Sequence, residues 1–401
     1  MAAIAGMRGT GDWGTDERPK NFREAILWRS PNGQTPLTAL MSKMKTESVD
    51  DPEFSWWEEE LNALRLTVGS GTTYATTDAT VYVTSNLQDA QDVIPGDLFM
   101  VEKTMTAAYD HEVILASSVT DTTTVVFKRA QVGTTAAPIP ASAKLTKIGN
   151  MFSEGSGAPT ASTRNPTKLF NYVQILKTVY DITNSAKLTR ARTGDPVKND
   201  KKRKMFDHAA ALEFAAIFGK RFEGTGANGK PMRTSGGLLY MMATYASNMI
   251  TVFSTTPTET TFTDAVYPVF NFDTGAGDER IVLAGNGALN SLNRLAASQS
   301  RTRVNFDGII DQYGMKLQKW IMPQGTLYVK SHPLFNNHAR FTNDMLILDP
   351  TALVYRPMRD TVFKDNIQAN DADETKGQWL TEAGFEMRHM KTSAWLSNFV
   401  V

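Results

Sequence analysis

Cysteine is absent from this 401-residue chain. That excludes disulfides, zinc–thiolate sites, iron–sulfur clusters and thiol catalysis together, and it suits a protein that folds in a reducing compartment. An excess of charge is missing as well. Lys+Arg and Asp+Glu both total 42, so no global field steers the chain onto nucleic acid or lipid. No apolar run reaches the roughly 18 residues that a membrane span needs. The opening Met1-Ala-Ala-Ile-Ala-Gly has neither the basic flank nor the sustained apolar core of a signal peptide. What is present, 41% apolar and 21% charged residues, is the composition of a globular protein. The length suffices for roughly two or three domains.

Residues 1–64 read as a polar, glycine-punctuated arm with local apolar anchors. Phe22, Ile26 and Leu27 follow a helical spacing that Ser30-Pro31-Asn32-Gly33 ends; Leu37, Leu40, Met41 and Met44 follow a second. Then comes Phe54-Ser-Trp-Trp-Glu-Glu-Glu-Leu61, aromatics beside acids. Such an arm packs on its own domain or on a neighbouring subunit. Residues 65–150 change character. Short β-prone runs at Thr80–Val83, Leu98–Glu102, Glu112–Ala116, Thr124–Lys128 and Lys144–Ile148 alternate with turns such as Pro95-Gly96-Asp97, the pattern of a small antiparallel barrel or sandwich. Residues 151–195 read as a long extended loop with a β-prone stretch at Leu169–Thr183.

Asp195-Pro196 predicts a helix start, the carboxylate capping and the proline at the first helical position. The helix is expected to run to about Phe222, with Phe206, Ala210, Phe214, Ile217 and Phe218 on its apolar stripe. Beyond it, helices are expected near 235–246 and 263–272, a strand at Arg280–Ala284, a helix at Ala288–Ser298, and strands at Leu317–Met322, Thr326–Lys330, Met345–Leu348 and Trp379–Met387. In the last, Trp379, Ala383, Phe385 and Met387 alternate with Glu382, Glu386 and Arg388, which predicts a sheet with one wet face.

Catalytic and ligand motifs fail on context. Gly224-Thr-Gly-Ala-Asn-Gly229-Lys230 fits two phosphate-loop patterns, yet a helix precedes it where a strand is needed, and Pro231 replaces the Ser/Thr that would hold magnesium. Gly285-Asn-Gly-Ala-Leu-Asn290 lies between strand and helix but lacks the third glycine of a dinucleotide fingerprint. The five histidines, His111, His208, His332, His338 and His389, form no metal-binding spacing, and His208 reads as a structural histidine within the long helix. No nucleophile elbow occurs. Neither a cofactor nor a metal site is expected. The strongest basic run, Lys198, Lys201, Lys202, Arg203 and Lys204, crowds the first turns of a helix, where the dipole disfavours cations. A compensating anion is expected nearby. Glu58, Glu59 and Glu60 are one candidate for it, acidic groups on a neighbouring chain another, packaged DNA a third.

The order of these parts, with the strings Pro31-Asn-Gly-Gln-Thr-Pro-Leu37, Phe54-Ser-Trp-Trp-Glu-Glu-Glu-Leu61, Phe152-Ser-Glu-Gly155, Phe170-Asn-Tyr-Val-Gln-Ile175 and Phe214-Ala-Ala-Ile-Phe-Gly-Lys220 before Arg233-Thr-Ser-Gly-Gly237, resembles the major capsid proteins of tailed bacteriophages, in a podophage-type branch. The resemblance implies an α+β, Hong Kong 97-like fold with an inserted small antiparallel β-domain. In that plan residues 1–64 are the N-terminal arm and the start of the P-domain, and 65–150 are the insertion. The E-loop takes 151–195, and the spine helix with the P-domain loop takes 196–231. Residues 232–330 are mainly A-domain, and 331–401 are the P-domain sheet and C-terminus. It further implies hexamers and pentamers in an icosahedral head around double-stranded DNA, assembled in the bacterial cytoplasm. A separate scaffolding protein is expected because the arm is short; a portal protein, a decoration protein and non-specific contact with packaged DNA are the other expected partners. Trp56, Trp57, Glu58, Glu59, Glu60, Phe170, Tyr172, Lys201, Lys202, Arg203 and Lys204 are the candidate assembly contacts. The competing readings are a tail-tube or decoration subunit, which the long helix disfavours, and a nucleotide-binding enzyme built on Arg280–Ser298.

Overall fold

The computed structural model describes residues 36–37, 45–59, 65–69, 73–82, 92–102, 111–121, 123–161, 163, 165–189, 194–272, 277–298, 306–312 and 315–399. The predicted helix at 22–27 and most of the one at 37–44 lie outside them. The chain divides into two compact units, one of Met1–Trp56 with Leu169–Val401 and one of Trp57–Lys168.

The larger unit holds a seven-stranded sheet in the order Ile250–Val252, Ala394–Ser397, Met345–Leu348, Glu279–Ala284, Gly325–Ser331, Met315–Met322 and Phe306–Gln312. Two pairings are parallel, Ile250–Val252 with Ala394–Ser397 and Glu279–Ala284 with Gly325–Ser331. The central strands are continuous apolar runs, buried on both faces: Met345–Leu348 is buried throughout and Arg280–Ala284 likewise. A second, antiparallel sheet joins Leu353–Lys364, Glu374–Met387 and Gln174–Thr183.

The long helix packs against that second sheet and spans Pro196–Phe218, 23 residues, or about 35 Å. Asp195 caps it through the N–H groups of Val197 and Lys198, and Pro196 stands first in the helix, as the sequence predicts. The helix stops earlier than expected. A Cβ on Gly219 would lie 2.4 Å from Ala215 O and 2.5 Å from Ser235 O, because the returning chain, bonded from Gly237 N–H to Gly219 O at 2.7 Å, presses on the helix end. The predicted stripe holds at its C-terminal end, where Ile217 is buried and Phe218 packs on Phe341 and Trp395, and drifts out of phase before it. The buried residues are His208, Leu212, Glu213, Ala216 and Ile217, while Phe214 is exposed and Phe206 and Ala210 only half-buried. Two polar side chains on the inner face shift it away from the apolar pattern.

The expected wet face of Glu374–Met387 is corrected too. Glu386 is fully buried, because Arg356 and Arg388 neutralise it from either side and let that face be covered.

The smaller unit carries one six-stranded antiparallel sheet, in the order Arg65–Thr67, Lys144–Asn150, Asp97–Glu102, Val113–Val119, Thr124–Gln131 and Thr80–Tyr82. All five predicted β runs are strands. Alternate residues turn inward into a separate apolar core, with Phe99 edge-on to Phe127 at 5.7 Å. Gly96 turns the chain at φ +104°, a conformation that glycine adopts without a Cβ penalty. The predicted Pro95-Gly96-Asp97 turn is closed by Asp97 N–H on Ile94 O.

Candidate assembly interface

The basic run meets its compensating anions within the chain. Lys201 Nζ lies 3.0 Å from Asp365 Oδ2 and 4.6 Å from the centroid of the Phe363 ring. Tyr180 donates its hydroxyl to Asp365 Oδ1 at 2.7 Å and stacks on Phe363. Those two hydrogen bonds hold the Asp365 carboxyl below its usual range, and the same aspartate raises the lysine. Lys201 thus binds the helix to the sheet beneath it. Lys204 pairs with Asp207 at 3.3 Å and Arg203 with Asp200 at 3.6 Å, each one turn along the helix and partly exposed. Such pairs contribute roughly 0–1 kcal/mol. Lys202 and Arg203 point outward.

The arm's two tryptophans part company. Strand Glu53–Glu58 alternates, so Trp56 is buried against Phe54 with centroids 6.2 Å apart, while Trp57 is 63% exposed. Glu58 is half-buried, Glu59 exposed, and Glu60 lies outside the described residues. Phe170 and Tyr172 are half-buried and meet edge-on at 5.8 Å. The Arg221 guanidinium covers the Phe170 ring at 3.9 Å and donates to Phe170 O at 2.7 Å. Burial and a hydrogen bond to Glu223 push the Tyr172 phenol up.

Buried charges in the larger unit were not readable from the sequence. Glu386 accepts from Arg356 Nε and Arg388 Nε, each at 2.5 Å, and Arg356 also reaches Glu47 at 2.5 Å. Around this cluster, Glu47 N–H donates to Tyr355 O and Tyr355 N–H to Lys45 O, so residues 45–49 lie along the edge of Leu353–Lys364 as an added strand. The second cluster joins Glu213 and His332, both fully buried, at 2.9 Å. Phe335 N–H donates to His332 Nδ1, so the ring proton sits on Nε2 and is donated to Glu213 Oε1, which also accepts Leu37 N–H at 2.8 Å. The third is Arg280, whose buried guanidinium donates to the carbonyls of Val269, Gly277, Glu279 and Thr392. His208 is hydrogen-bonded through both ring nitrogens, to Thr178 and Thr381, and burial pushes its pKa down.

Neither glycine motif forms a ligand cradle. Gly226–Lys230 is the tip of a hairpin between strands Phe222–Thr225 and Pro231–Thr234. At the other, the helix Asn286–Ser298 presents its first N–H groups to its own chain. Asn286 N–H donates to Asn336 Oδ1 at 2.7 Å and Gly287 N–H to Thr342 Oγ1 at 3.3 Å. Even a Cβ on Gly285 would lie 2.3 Å from Thr342 O, so a phosphate finds no room there. Among the described residues, no group of three or more His, Asp or Glu could hold a metal ion, and no helix is long and apolar enough to cross a membrane.

Sequence comparison decides the family. The model of the SU10 major capsid protein family matches residues 6–399. The chain belongs to that family. The major capsid protein of Pseudomonas phage PaMx41 is 28% identical over 323 residues, covering 79% of this chain and 73% of that protein. Among solved structures, the capsid of the Cyanophage P-SCSP1u aligns with a TM-score of 0.46 at 11% identity, covering 97% of this chain and 96% of that one. The capsid of the empty GTA particle aligns with a TM-score of 0.47 at 8% identity, covering 96% of both. The protein is a phage capsid subunit of α+β architecture. Its elements run in the order arm strand, extended segment, long helix, α/β layer and terminal sheet. The match reaches the family and does not single out a podophage-type branch within it.

Proposed function

We propose that this chain is the repeating unit of an icosahedral phage head, assembling into hexamers and pentamers around double-stranded DNA and doing no catalysis. The family match across residues 6–399 carries the reading. The interior clusters agree with it, since Glu386, Glu213 and Arg280 each join distant segments of the same chain.

In this reading, contacts toward neighbouring copies come from side chains the fold leaves outward. Trp57 with Glu58 and Glu59 offers a large aromatic area beside acid, and Glu60 of the same string is a further candidate contact. Lys202 and Arg203 are candidate basic contacts, as are Lys201 and Lys204, with Asp365, Asp200 and Asp207 already engaging Lys201, Arg203 and Lys204. Trp56, Phe170 and Tyr172 complete the candidate set. Assembly takes place in the host cytoplasm with a separate scaffolding protein, and the finished shell meets a portal protein, packaged DNA through non-specific contacts, and a decoration protein. Residues 65–150 form the insertion, 151–195 the E-loop, 196–231 the spine helix and P-domain loop, 232–330 mainly the A-domain, and 331–401 the P-domain sheet.

The test is overexpression with and without the cognate scaffolding protein, followed by sedimentation and negative-stain imaging. Closed shells or capsomers are expected. Discrete monomers under every assembly condition would overturn the proposal.

A further inference from the structure

Asparagine precedes glycine at Asn32, Asn228 and Asn286. Asn32 lies outside the described residues; the other two sit in opposite settings. Asn228 is exposed at the tip of the hairpin Phe222–Thr234. Gly229 is exposed as well, has φ +71°, and a Cβ there would meet nothing within 4 Å, so the tip is open to solvent. Lys230 N–H donates to Asn228 Oδ1 at 3.1 Å. That bond polarises the side-chain carbonyl and is aimed at the oxygen where negative charge develops if a nucleophile adds to Cγ. Gly229 N–H itself rests on Gly226 O at 2.9 Å, a bond within an exposed turn, and such bonds open at the low end of local-unfolding free energies.

We propose that Asn228 is a self-modification site. The Gly229 nitrogen, once deprotonated by hydroxide, bonds to Asn228 Cγ. The Cγ–Nδ2 bond then breaks and the amide nitrogen leaves as ammonia, giving a five-membered succinimide. Water adds to either ring carbonyl and breaks that carbonyl's bond to the ring nitrogen. The products are aspartate, or isoaspartate with the main chain rerouted through the side chain. No atom changes oxidation state and water is the only co-reactant. A neutral side chain becomes anionic beside Lys230 and offsets its charge.

Asn286 supplies the internal control. Its Oδ1 accepts from Ser331 Oγ at 2.6 Å. Gly287 N–H is held by Thr342, and a Cβ on Gly287 would lie 2.0 Å from Asn343 Oδ1. Reaction there requires opening the first turn of Asn286–Ser298 against this packing.

The full-length protein is incubated at mildly alkaline pH, and peptides are mapped over time by mass spectrometry, with an enzymatic assay for isoaspartate. The peptide containing Asn228 is expected to gain the mass of an amide-to-acid conversion and to split into two isomers. Asn286 should react at least about tenfold more slowly, and Asn228→Gln should remove the signal from that peptide. An intact Asn228, or Asn286 converting as fast, would overturn the proposal. So would conversion to aspartate alone, which is the mark of direct hydrolysis without the ring.

Discussion

Replacing Arg129 by methionine removes one half of a buried ion pair and leaves the other half in place. In the smaller unit Glu112 is fully buried, and Arg129 meets it through Nε on Oε1 and Nη2 on Oε2, both at 2.7 Å. Two backbone donors remain on the carboxylate after the change, Ala130 N–H at 3.1 Å and Ala137 N–H at 3.0 Å. They do not neutralise it. Stranding one member of a buried pair costs about 3–5 kcal/mol. Arg129 also donates to Ala75 O, Asp78 O and Ala137 O, so the upper part of that range is expected. The unit of Trp57–Lys168 is domain-sized and has about 5–15 kcal/mol in hand, so it should stay folded but open more often. At tenfold per 1.4 kcal/mol, amide protection in Val113–Val119 and Thr124–Gln131 should fall roughly a hundred-fold to a few thousand-fold. Native-state hydrogen exchange on the full chain reads this strand by strand, with Glu279–Ala284 as the unaffected reference. The double change with Glu112→Leu should cost less than the sum of the single changes, with a coupling of about 0.5–3 kcal/mol. A single-variant loss below about 1 kcal/mol, or an equal loss at Glu279–Ala284, would refute the claim that this pair holds the unit's core.

Two further outcomes follow from the same physics. Glu386→Ala removes the buried carboxylate that Arg356 and Arg388 share and leaves both on the half-buried Glu47 alone; a loss of about 1.5–3 kcal/mol is expected. Proteolysis at residues 45–49 should rise before any cut in Glu279–Ala284, whereas simultaneous cutting would argue against a strap held by that cluster. Acid should loosen the smaller unit through Glu112. Burial pushes that carboxyl up, but Arg129 and the N–H groups of Ala137 and Ala130 more than offset it, so its folded pKa lies below the ordinary glutamate value. The stabilisation is therefore complete above the ordinary glutamate value of about 4.3 and is lost as pH falls through the lower folded value. Exchange across Val113–Val119 should accelerate in that window, and an Arg129→Met variant should have lost most of this pH dependence.

The smaller unit was legible because its residues obey period two with apolar residues inward, and turns such as Pro95-Gly96-Asp97 separate the runs. The long helix announced its start through Asp195-Pro196, where cap and proline act locally. Its end was not legible, because Gly219 terminates it through a contact with Ser235 O that no local pattern encodes. Its inner face was misphased for a related reason. His208 and Glu213 count as polar in any periodicity, yet distant partners at Thr381 and His332 bury them. The strand Leu353–Lys364 escaped notice because Arg356-Pro357 and Arg359-Asp360 interrupt its apolar alternation; Arg356 there is drawn in by Glu47 and Glu386.

One cause underlies these misses. A buried hydrogen-bonded pair such as Glu213 with His332 joins positions 119 apart in sequence, and neither residue carries a mark of the other. Apolar periodicity reports only the part of burial that needs no partner. The same distinction explains why function was readable while the candidate contacts were less so. A capsid subunit does not concentrate its work in a motif, so the order of arm, extended segment, long helix and terminal sheet carried the information. Which charges face outward depends on where the fold sets each side chain. Lys201 and Lys202 are adjacent in sequence and equally basic, yet Asp365 and Phe363 engage the first while the second points outward.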